Sequence, residues 1–218
     1  ESSLAEKLED ILAKENPTVA PYASLGEVKI RITAKSTTDS DAKELIKPIE
    51  KEILNRTGNE FYGCDEDDLA SVVIEILRKR GETLAIAESC TGGGLGAAIT
   101  SISGSSDVFL GGVIAYQNSI KKEFLDVSEK LIEQHGAVST EVVEAMAIGI
   151  QKKFNSDWSI AVSGLAGPNG GSLLKPIGLV QFCVRGPLGK ESGPEIFSSK
   201  AGRISIQKLS VLKALDKL

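Results

Sequence analysis

The chain has 218 residues, of which 41% are hydrophobic and 25% are charged, and its formal net charge is −5. These proportions are typical of an ordinary soluble protein with one or two domains and a sizeable core. The acidic balance excludes an overall basic surface that would follow a nucleic-acid backbone, so we expect no nucleic-acid partner.

Scarce residue types limit the possible chemistry. The single histidine, His135, excludes a multi-histidine metal site, and any Ser-His-Asp arrangement would have to use it. The cysteines, Cys64, Cys90 and Cys183, are widely spaced and odd in number, which argues against a disulfide framework and favours a reducing cytoplasm. No apolar run approaches the roughly 20 residues that span a bilayer, and we expect no signal peptide.

Residues 1–22 are predicted to form a terminal helix and a linker. Over residues 4–15 the apolar positions Leu4, Leu8, Ile11 and Leu12 share one helical face. The following segment NPTVAPYA is interpreted as an extended connector, because prolines punctuate it. Because the chain begins without methionine, we expect it to be a fragment of a longer protein.

Residues 23–63 are predicted to form a small β-α-β unit. The segment EVKIRITAK alternates apolar and polar residues, which is typical of a half-buried strand. Residues 36–58 have helical periodicity, with Asp39 or Ser40 as the cap, and Gly58 ends the helix. The segment NEFYG then resembles a short returning strand.

From residue 64 onward, helical segments alternate with short apolar strands, which predicts a layered α/β domain over residues 64–218. Helices are predicted over residues 65–81, near 92–103, and over 127–136, 139–154 and 204–218. Strands are predicted over residues 83–88, within 104–117, and over 156–164, 179–186 and 193–200.

Three polar loops follow predicted strands of this domain: ESCTGGG, AYQNSIKK and SGLAGPNGGS. Ligands collect beyond the carboxyl ends of strands in open α/β sheets, so these loops predict a site. The first loop matches neither GxxxxGK[ST] nor GxSxG. Its glycines precede a helix and offer N–H groups to a phosphate or an oxyanion, although a simple helix cap is an equally good interpretation.

Several residues are candidates for the reacting groups. Ser89 would need a base, and Lys121 is favoured over His135, whose position after a helix is typical of a turn residue. Desolvation can lower a lysine pKa enough for that role, and Tyr116 could relay the proton or orient the amine. Cys90 is a rival nucleophile, although a small cysteine at a helix start more often serves packing.

The motifs AESCTGG, GGVIAYQNSIK, HGAVS, VSGLAGPNGGS and KPIGLV, in this order, resemble those of the CinA C-terminal family of nicotinamide-nucleotide amidases. The segment NPTVAPYASLGEVKIRITA is similar to the KH-type middle domain of the same proteins, although the basic GXXG loop of RNA-binding KH modules is absent. The resemblance implies a three-layer α/β/α amidase domain with a mixed sheet, preceded by the small KH-type β-α-β unit.

The implied activity is hydrolysis of nicotinamide mononucleotide to nicotinate mononucleotide and ammonia, a step of pyridine-nucleotide salvage, without metal or cofactor. By position, Ser89 is the nucleophile, Lys121 the general base and Tyr116 its partner. The Gly92 and Gly93 amides would face the phosphate or oxyanion, and Ser163 would fix the substrate or oxyanion. The substrate-binding residues expected in all are Thr91, Gly92, Gly93, Asn118, Ser163, Gly164, Gly167, Gly170 and Arg203.

The resemblance also covers what lies beyond the site. It implies a homodimer, and full-length family members carry a further N-terminal domain linked to ADP-ribose pyrophosphatase activity, which we do not expect here. The phosphate-binding motif departs from the family pattern: it reads AGR at Arg203, and Gln207 stands where a second arginine is usual. Two alternatives remain open, a non-catalytic nucleotide-binding fragment and, less favoured, a KH-type nucleic-acid binder.

Overall fold

The computed structural model describes residues 2–218, and the chain divides into two compact units. One unit ends at Cys64, and the other runs from Asp65 to Leu218. Within residues 2–218, no helix combines the length and the apolar character that crossing a membrane requires.

The first unit contains a two-stranded antiparallel sheet in which Val19 pairs with Ile32. Leu8, Ile11, Val19 and Ile53 are its buried core, since each is at most 6% exposed. The elements are α1 (Ser2–Lys7), α2 (Glu9–Leu12), β1 (Thr18–Ala23), β2 (Val28–Thr33) and α3 (Asp39–Thr57).

The order of elements in this unit differs from the predicted β-α-β. The expected connector NPTVAPYA contains β1, and the expected strand NEFYG instead begins as a 3-10 turn over Gly58–Glu60. Both strands therefore precede the helix. The prolines concealed β1, but a strand with a single neighbour tolerates them because one edge makes no ladder bonds.

Two further expectations for the first unit are corrected. Thr38, rather than Asp39 or Ser40, caps α3, since its side chain accepts a hydrogen bond from the Asp41 N–H. The terminal helices do not form a separate segment with a linker, because Leu8 and Ile11 lie in the shared core described above.

The second unit has a five-stranded mixed sheet in the order β4-β3-β5-β6-β7. Strand β3 is parallel to β4 and β5, whereas β5, β6 and β7 pair antiparallel. Helices lie on both faces, so the predicted three-layer α/β/α architecture is confirmed. The elements are α4 (Leu69–Arg80), β3 (Leu84–Glu88), α5 (Gly94–Thr100), β4 (Phe109–Ile114), α6 (Asn118–Leu125), α7 (Glu129–His135), α8 (Thr140–Phe154), β5 (Trp158–Gly164), β6 (Leu179–Gly186), β7 (Gly189–Ile196) and α9 (Gly202–Asp216).

Strand β3 shows how the two layers are separated. Leu84 and Ile86 belong to the core that includes α4, α5 and α9, whereas Ala85 and Ala87 belong to the core that includes α6 and α8. Successive residues of a strand point to opposite faces of the sheet, so a strand buried on both sides is apolar throughout. Ser89 directly follows this strand and therefore lies at the end of a segment packed between two layers of helices.

Helix α6 lies where the polar loop AYQNSIKK was predicted. Its N-cap, Gln117, makes no side-chain cap hydrogen bond, so the sequence lacks the usual start signal. The helix is positioned by α8: a Cβ on Gly149 would lie 2.0 Å from the Leu125 carbonyl oxygen, so only glycine allows this approach. Lys121 therefore projects from an anchored helix.

Candidate active site

The carboxyl ends of the three parallel strands lie side by side. In the sheet register, Glu88 is opposite both Ile114 and Val162, so the loops that follow these residues are neighbours. They enclose a cavity of about 190 Å³. Of the predicted site residues, the cavity is lined by Ser89, Tyr116, Asn118, Lys121, Ser163, Gly164 and Arg203.

Ser89 and Lys121 are in contact within this cavity. Lys121 Nζ lies 3.2 Å from Ser89 Oγ. The amine also donates to the Ala115 carbonyl oxygen at 2.6 Å and to the Tyr116 carbonyl oxygen at 3.4 Å. The Ser89 hydroxyl can accept from this amine or, when the amine is neutral, donate its proton to the nitrogen lone pair.

The environment of Lys121 favours the uncharged amine. The residue is 1% exposed, and among the described residues no carboxylate is within ion-pair distance of it. Burial lowers the pKa of Lys121 because a charged ammonium loses its hydration there, and the electrostatic interaction with Cys90, which opposes this shift, is the smaller effect. A lysine so placed can accept a proton from the adjacent hydroxyl.

The Tyr116 side chain makes a different contact from the one predicted. Its phenol oxygen accepts a hydrogen bond from Arg203 Nη2 at 2.9 Å, and only its backbone carbonyl contacts Lys121. Arg203 also donates from Nη1 to the Gly167 carbonyl oxygen at 2.9 Å. The expected role of the phenol as partner of the lysine is therefore not seen; it holds the guanidinium at the exposed side of the cavity.

The amides after Ser89 are arranged differently from expectation. The Gly93 N–H donates to Glu88 Oε2 at 3.0 Å, and the Gly92 N–H donates to the Ser89 carbonyl oxygen at 3.1 Å. Leu95 and Gly96 donate to the same Glu88 carboxylate. The buried carboxylate thus occupies the start of α5, so these two amides are not available to a phosphate or an oxyanion.

The remaining expected substrate-binding residues lie outside the cavity lining. Thr91 is 5% exposed, and its hydroxyl has no hydrogen-bond partner among the described residues. Gly167 takes part through its carbonyl oxygen, which accepts from Arg203. Gly170 borders a separate, shallower hollow together with Pro168 and Ile177.

Neither alternative reacting residue has the required surroundings. Cys90 lines the cavity, but burial raises the pKa of its thiol to about 12, so the thiolate is scarce near neutral pH. His135 lies outside the cavity lining, and its Nδ1 is 3.3 Å from Glu141 Oε1. Among the described residues, no group of three or more His, Cys, Asp and Glu side chains could hold a metal ion.

Several contributing residues were not predicted. Glu88 organises the nucleophile loop, and an acidic residue between a buried strand and glycine-rich amides was the signal available for it. Gln207 donates to the Cys90 carbonyl oxygen at 2.8 Å, which links α9 to the same loop. Ala137, Val138 and Ala166 complete the cavity wall, and nothing in their sequence context indicates this.

Two family models match the chain along its length. Residues 66–218 match the model described as CinA C-terminal domain, and residues 1–63 match the Damage-inducible protein CinA KH domain. Relatives include the CinA-like proteins of Prochlorococcus marinus (strain MIT 9313) and Parasynechococcus marenigrum (strain WH8102), each 54% identical over 218 residues. The chain is fully covered in both alignments, which span 51% and 52% of these relatives, about half their length.

Solved structures give the same comparison at lower identity. The competence/damage inducible protein CihA from Agrobacterium tumefaciens superposes with a TM-score of 0.67 at 34% identity, covering 72% of this chain and 94% of that one. A competence-damaged protein (CinA) superfamily protein from Escherichia coli has a TM-score of 0.66 at 27% identity, covering 74% and 95%.

Proposed function

The chain belongs to the CinA family, and on that premise we propose that its second unit hydrolyses nicotinamide mononucleotide to nicotinate mononucleotide and ammonia. The observation that carries this proposal is the 3.2 Å contact between Lys121 Nζ and Ser89 Oγ inside the cavity. A serine hydroxyl beside a buried amine whose pKa is lowered by burial is a combination suited to nucleophilic attack on an amide carbonyl.

The first half of the reaction transfers the acyl group to the enzyme. The neutral Lys121 amine takes the Ser89 hydroxyl proton while Ser89 Oγ forms a bond to the carboxamide carbon. The carbon–nitrogen bond of the tetrahedral intermediate then breaks, and the Lys121 ammonium gives its proton to the departing nitrogen, which leaves as ammonia. The pyridine carbonyl remains attached to Ser89 as an ester.

The second half releases the acid. Lys121, neutral again after the loss of ammonia, takes a proton from a water molecule as the water oxygen attacks the ester carbon. The bond to Ser89 Oγ breaks, and the proton returns from Lys121 to the serine oxygen. The product is the pyridine carboxylic acid, which becomes the carboxylate by giving its proton to ammonia or to solvent, and both residues regain their starting protonation states.

The volume of the cavity suits only one end of the nucleotide. Its volume of about 190 Å³ is below the roughly 300–1,000 Å³ of ligand pockets that enclose a whole small molecule. We propose that the carboxamide end enters it, while the phosphate meets Arg203 on the exposed side. Two Arg203 N–H groups are engaged by Tyr116 and Gly167, and a guanidinium has five in all, so donors remain for an anion.

Ammonia release by the purified chain, with nicotinamide mononucleotide at about 1 mM, tests the proposal. We expect turnover by the wild type, none by Ser89→Ala, and retained turnover by Cys90→Ala, the matched control at the adjacent position. Thermal unfolding shows whether each variant is folded. Calorimetric binding of the nucleotide by folded wild type without ammonia release would contradict the amidase and indicate the non-catalytic binding module instead.

We also propose a homodimer in the cytoplasm. The family resemblance supports the dimer, and the odd number of widely spaced cysteines supports a reducing compartment. Light scattering of the purified chain tests the dimer, because a mass close to the 23.0 kDa of one chain would contradict it.

A further inference from the structure

We propose that Ser163 is the residue by which this site distinguishes a carboxamide from a carboxylate, because it accepts a hydrogen bond from the amide nitrogen of the substrate. This inference rests on the amidase function proposed above. It is more specific than the resemblance, which allowed Ser163 to fix either the substrate or the oxyanion, and it excludes the oxyanion role, since a donor would serve the carbonyl oxygen instead.

Ser163 lies close to the nucleophile because of the strand register. Strands β3 and β5 are parallel with Glu88 opposite Val162, so the next residues, Ser89 and Ser163, are also neighbours. The Ser89 N–H donates to the Val162 carbonyl oxygen at 2.9 Å, which continues the pairing. Adjacent strands are roughly 5 Å apart, and both serines line the cavity. Ser163 is 1% exposed, so only a molecule inside the cavity can meet it.

The hydroxyl proton of Ser163 is already committed. Ser163 Oγ lies 2.8 Å from the Ala137 carbonyl oxygen. A carbonyl oxygen can only accept, so the serine must donate in this bond, and a serine hydroxyl carries a single proton. What Ser163 still offers to the cavity is acceptor capacity.

The segment that holds Ala137 is itself fixed. Lys175 Nζ donates to the His135 carbonyl oxygen at 2.6 Å and to the Val138 carbonyl oxygen at 2.7 Å, on either side of Ala137. Turning the Ser163 proton toward a ligand would leave the half-buried Ala137 carbonyl oxygen without that donor. The acceptor character of Ser163 is therefore built into the fold.

The acceptor capacity of Ser163 favours binding of the carboxamide substrate over the carboxylate product. A carboxamide nitrogen carries two N–H donors, whereas a carboxylate carries none and would place its own lone pairs against those of Ser163. With the carbonyl carbon at Ser89 Oγ, we expect the leaving nitrogen rather than the carbonyl oxygen to face Ser163, because the carbonyl oxygen can only accept and Ser163 has no proton left to donate. The site consequently binds the amide in the reactive orientation and disfavours the acid that forms.

Two substrates separate an amide acceptor from an oxyanion donor: nicotinamide mononucleotide and the methyl ester of nicotinate mononucleotide, which has no N–H on the reacting group. For Ser163→Ala we expect kcat/KM to fall about tenfold with the amide and to stay within about twofold with the ester. Ser163→Thr, which keeps the hydroxyl, should preserve the wild-type ratio of amide to ester. Equal losses with both compounds, of about 10²–10³, would show an oxyanion donor and overturn the inference.

Binding measurements test the same point without turnover. In Ser89→Ala we expect the amide nucleotide to bind at least about tenfold more tightly than the acid nucleotide, and in Ser89→Ala/Ser163→Ala we expect this ratio to approach one. Equal affinity of Ser89→Ala for amide and acid overturns the inference even if the double variant does not fold.

Wild type that hydrolyses neither the amide nor the ester removes the proposed function and this inference with it. Wild type that hydrolyses both, combined with equal losses in Ser163→Ala, removes this inference alone.

Discussion

The phenol oxygen of Tyr116 is hydrogen-bonded to Arg203 at 2.9 Å. The contact between Tyr116 and the Lys121 amine is made by the backbone carbonyl of Tyr116, not by its phenol. One residue thus serves two parts of the site through different atoms. The residue is 55% exposed; its carbonyl helps to hold the base, and its phenol oxygen holds the guanidinium proposed to bind the phosphate.

Replacing the phenol should therefore affect substrate binding rather than chemistry. For Tyr116→Phe we expect KM for nicotinamide mononucleotide to rise about three- to tenfold, the effect of one lost hydrogen bond, with kcat within about twofold of wild type. The phosphate-free nucleoside is the control, and its kcat/KM should not change. A fall in kcat of about 100-fold with unchanged KM would instead place the phenol in proton transfer.

Lys121 should determine the activity and its pH dependence. Lys121→Met is expected to lower kcat by about 10²–10⁴, because general base catalysis is lost. In the wild type, kcat/KM should rise with pH to a plateau with an apparent pKa below the usual ~10.4, since only the uncharged amine accepts a proton and burial lowers its pKa. Lys122→Met, which removes the neighbouring ion pair with Glu129, is the control and should keep the wild-type profile. An unshifted profile in Lys121→Met would contradict the assignment.

The same lysine should leave a signature in stability. Its pKa is lowered in the folded protein, so between that value and ~10.4 the unfolded chain binds more protons than the folded one. The free-energy cost of burying the charged ammonium is fully present below the folded pKa, and it decreases as the pH rises toward the unfolded pKa. We expect the free energy of unfolding of wild type, minus that of Lys121→Met, to increase between pH 7 and pH 9.5 in urea titrations. A difference that does not vary with pH would contradict a buried, shifted amine.

Glu88 should be a stability residue rather than a reacting one. Its carboxylate accepts from the N–H groups of Gly93, Leu95 and Gly96, and the side chain is buried. Glu88→Gln replaces one acceptor oxygen by an N–H₂ group that faces these donors, so we expect a loss of about 1–3 kcal/mol in urea unfolding. The exposed residue Glu75 provides the control, since Glu75→Gln should change stability much less than Glu88→Gln does. Equal effects of the two substitutions would show that the buried carboxylate is not structural.

Much of the second unit was predictable because its signals are local. Buried strands such as β3 are apolar until their last residue, and α8 lies within the predicted range 139–154, with Ser139 as its N-cap. Helix α6 was not predicted, because it has no side-chain cap and its stability comes from contact with α8. The first unit was misread for a similar reason: β1 is a strand only because β2 pairs with it.

The sequence by itself determined which residues are available for chemistry: one histidine, a serine before three glycines, and a lysine after a strand. It also indicated that their loops follow strands of an α/β sheet, where ligands collect. Only the tertiary structure decided what each group does, because hydrogen-bond partners and burial depend on residues distant in the chain. The Gly93 N–H donates to Glu88, the Tyr116 phenol oxygen accepts from Arg203, and the Ser163 hydroxyl donates to the Ala137 carbonyl oxygen. Lys121 is desolvated by burial and contacts Ser89.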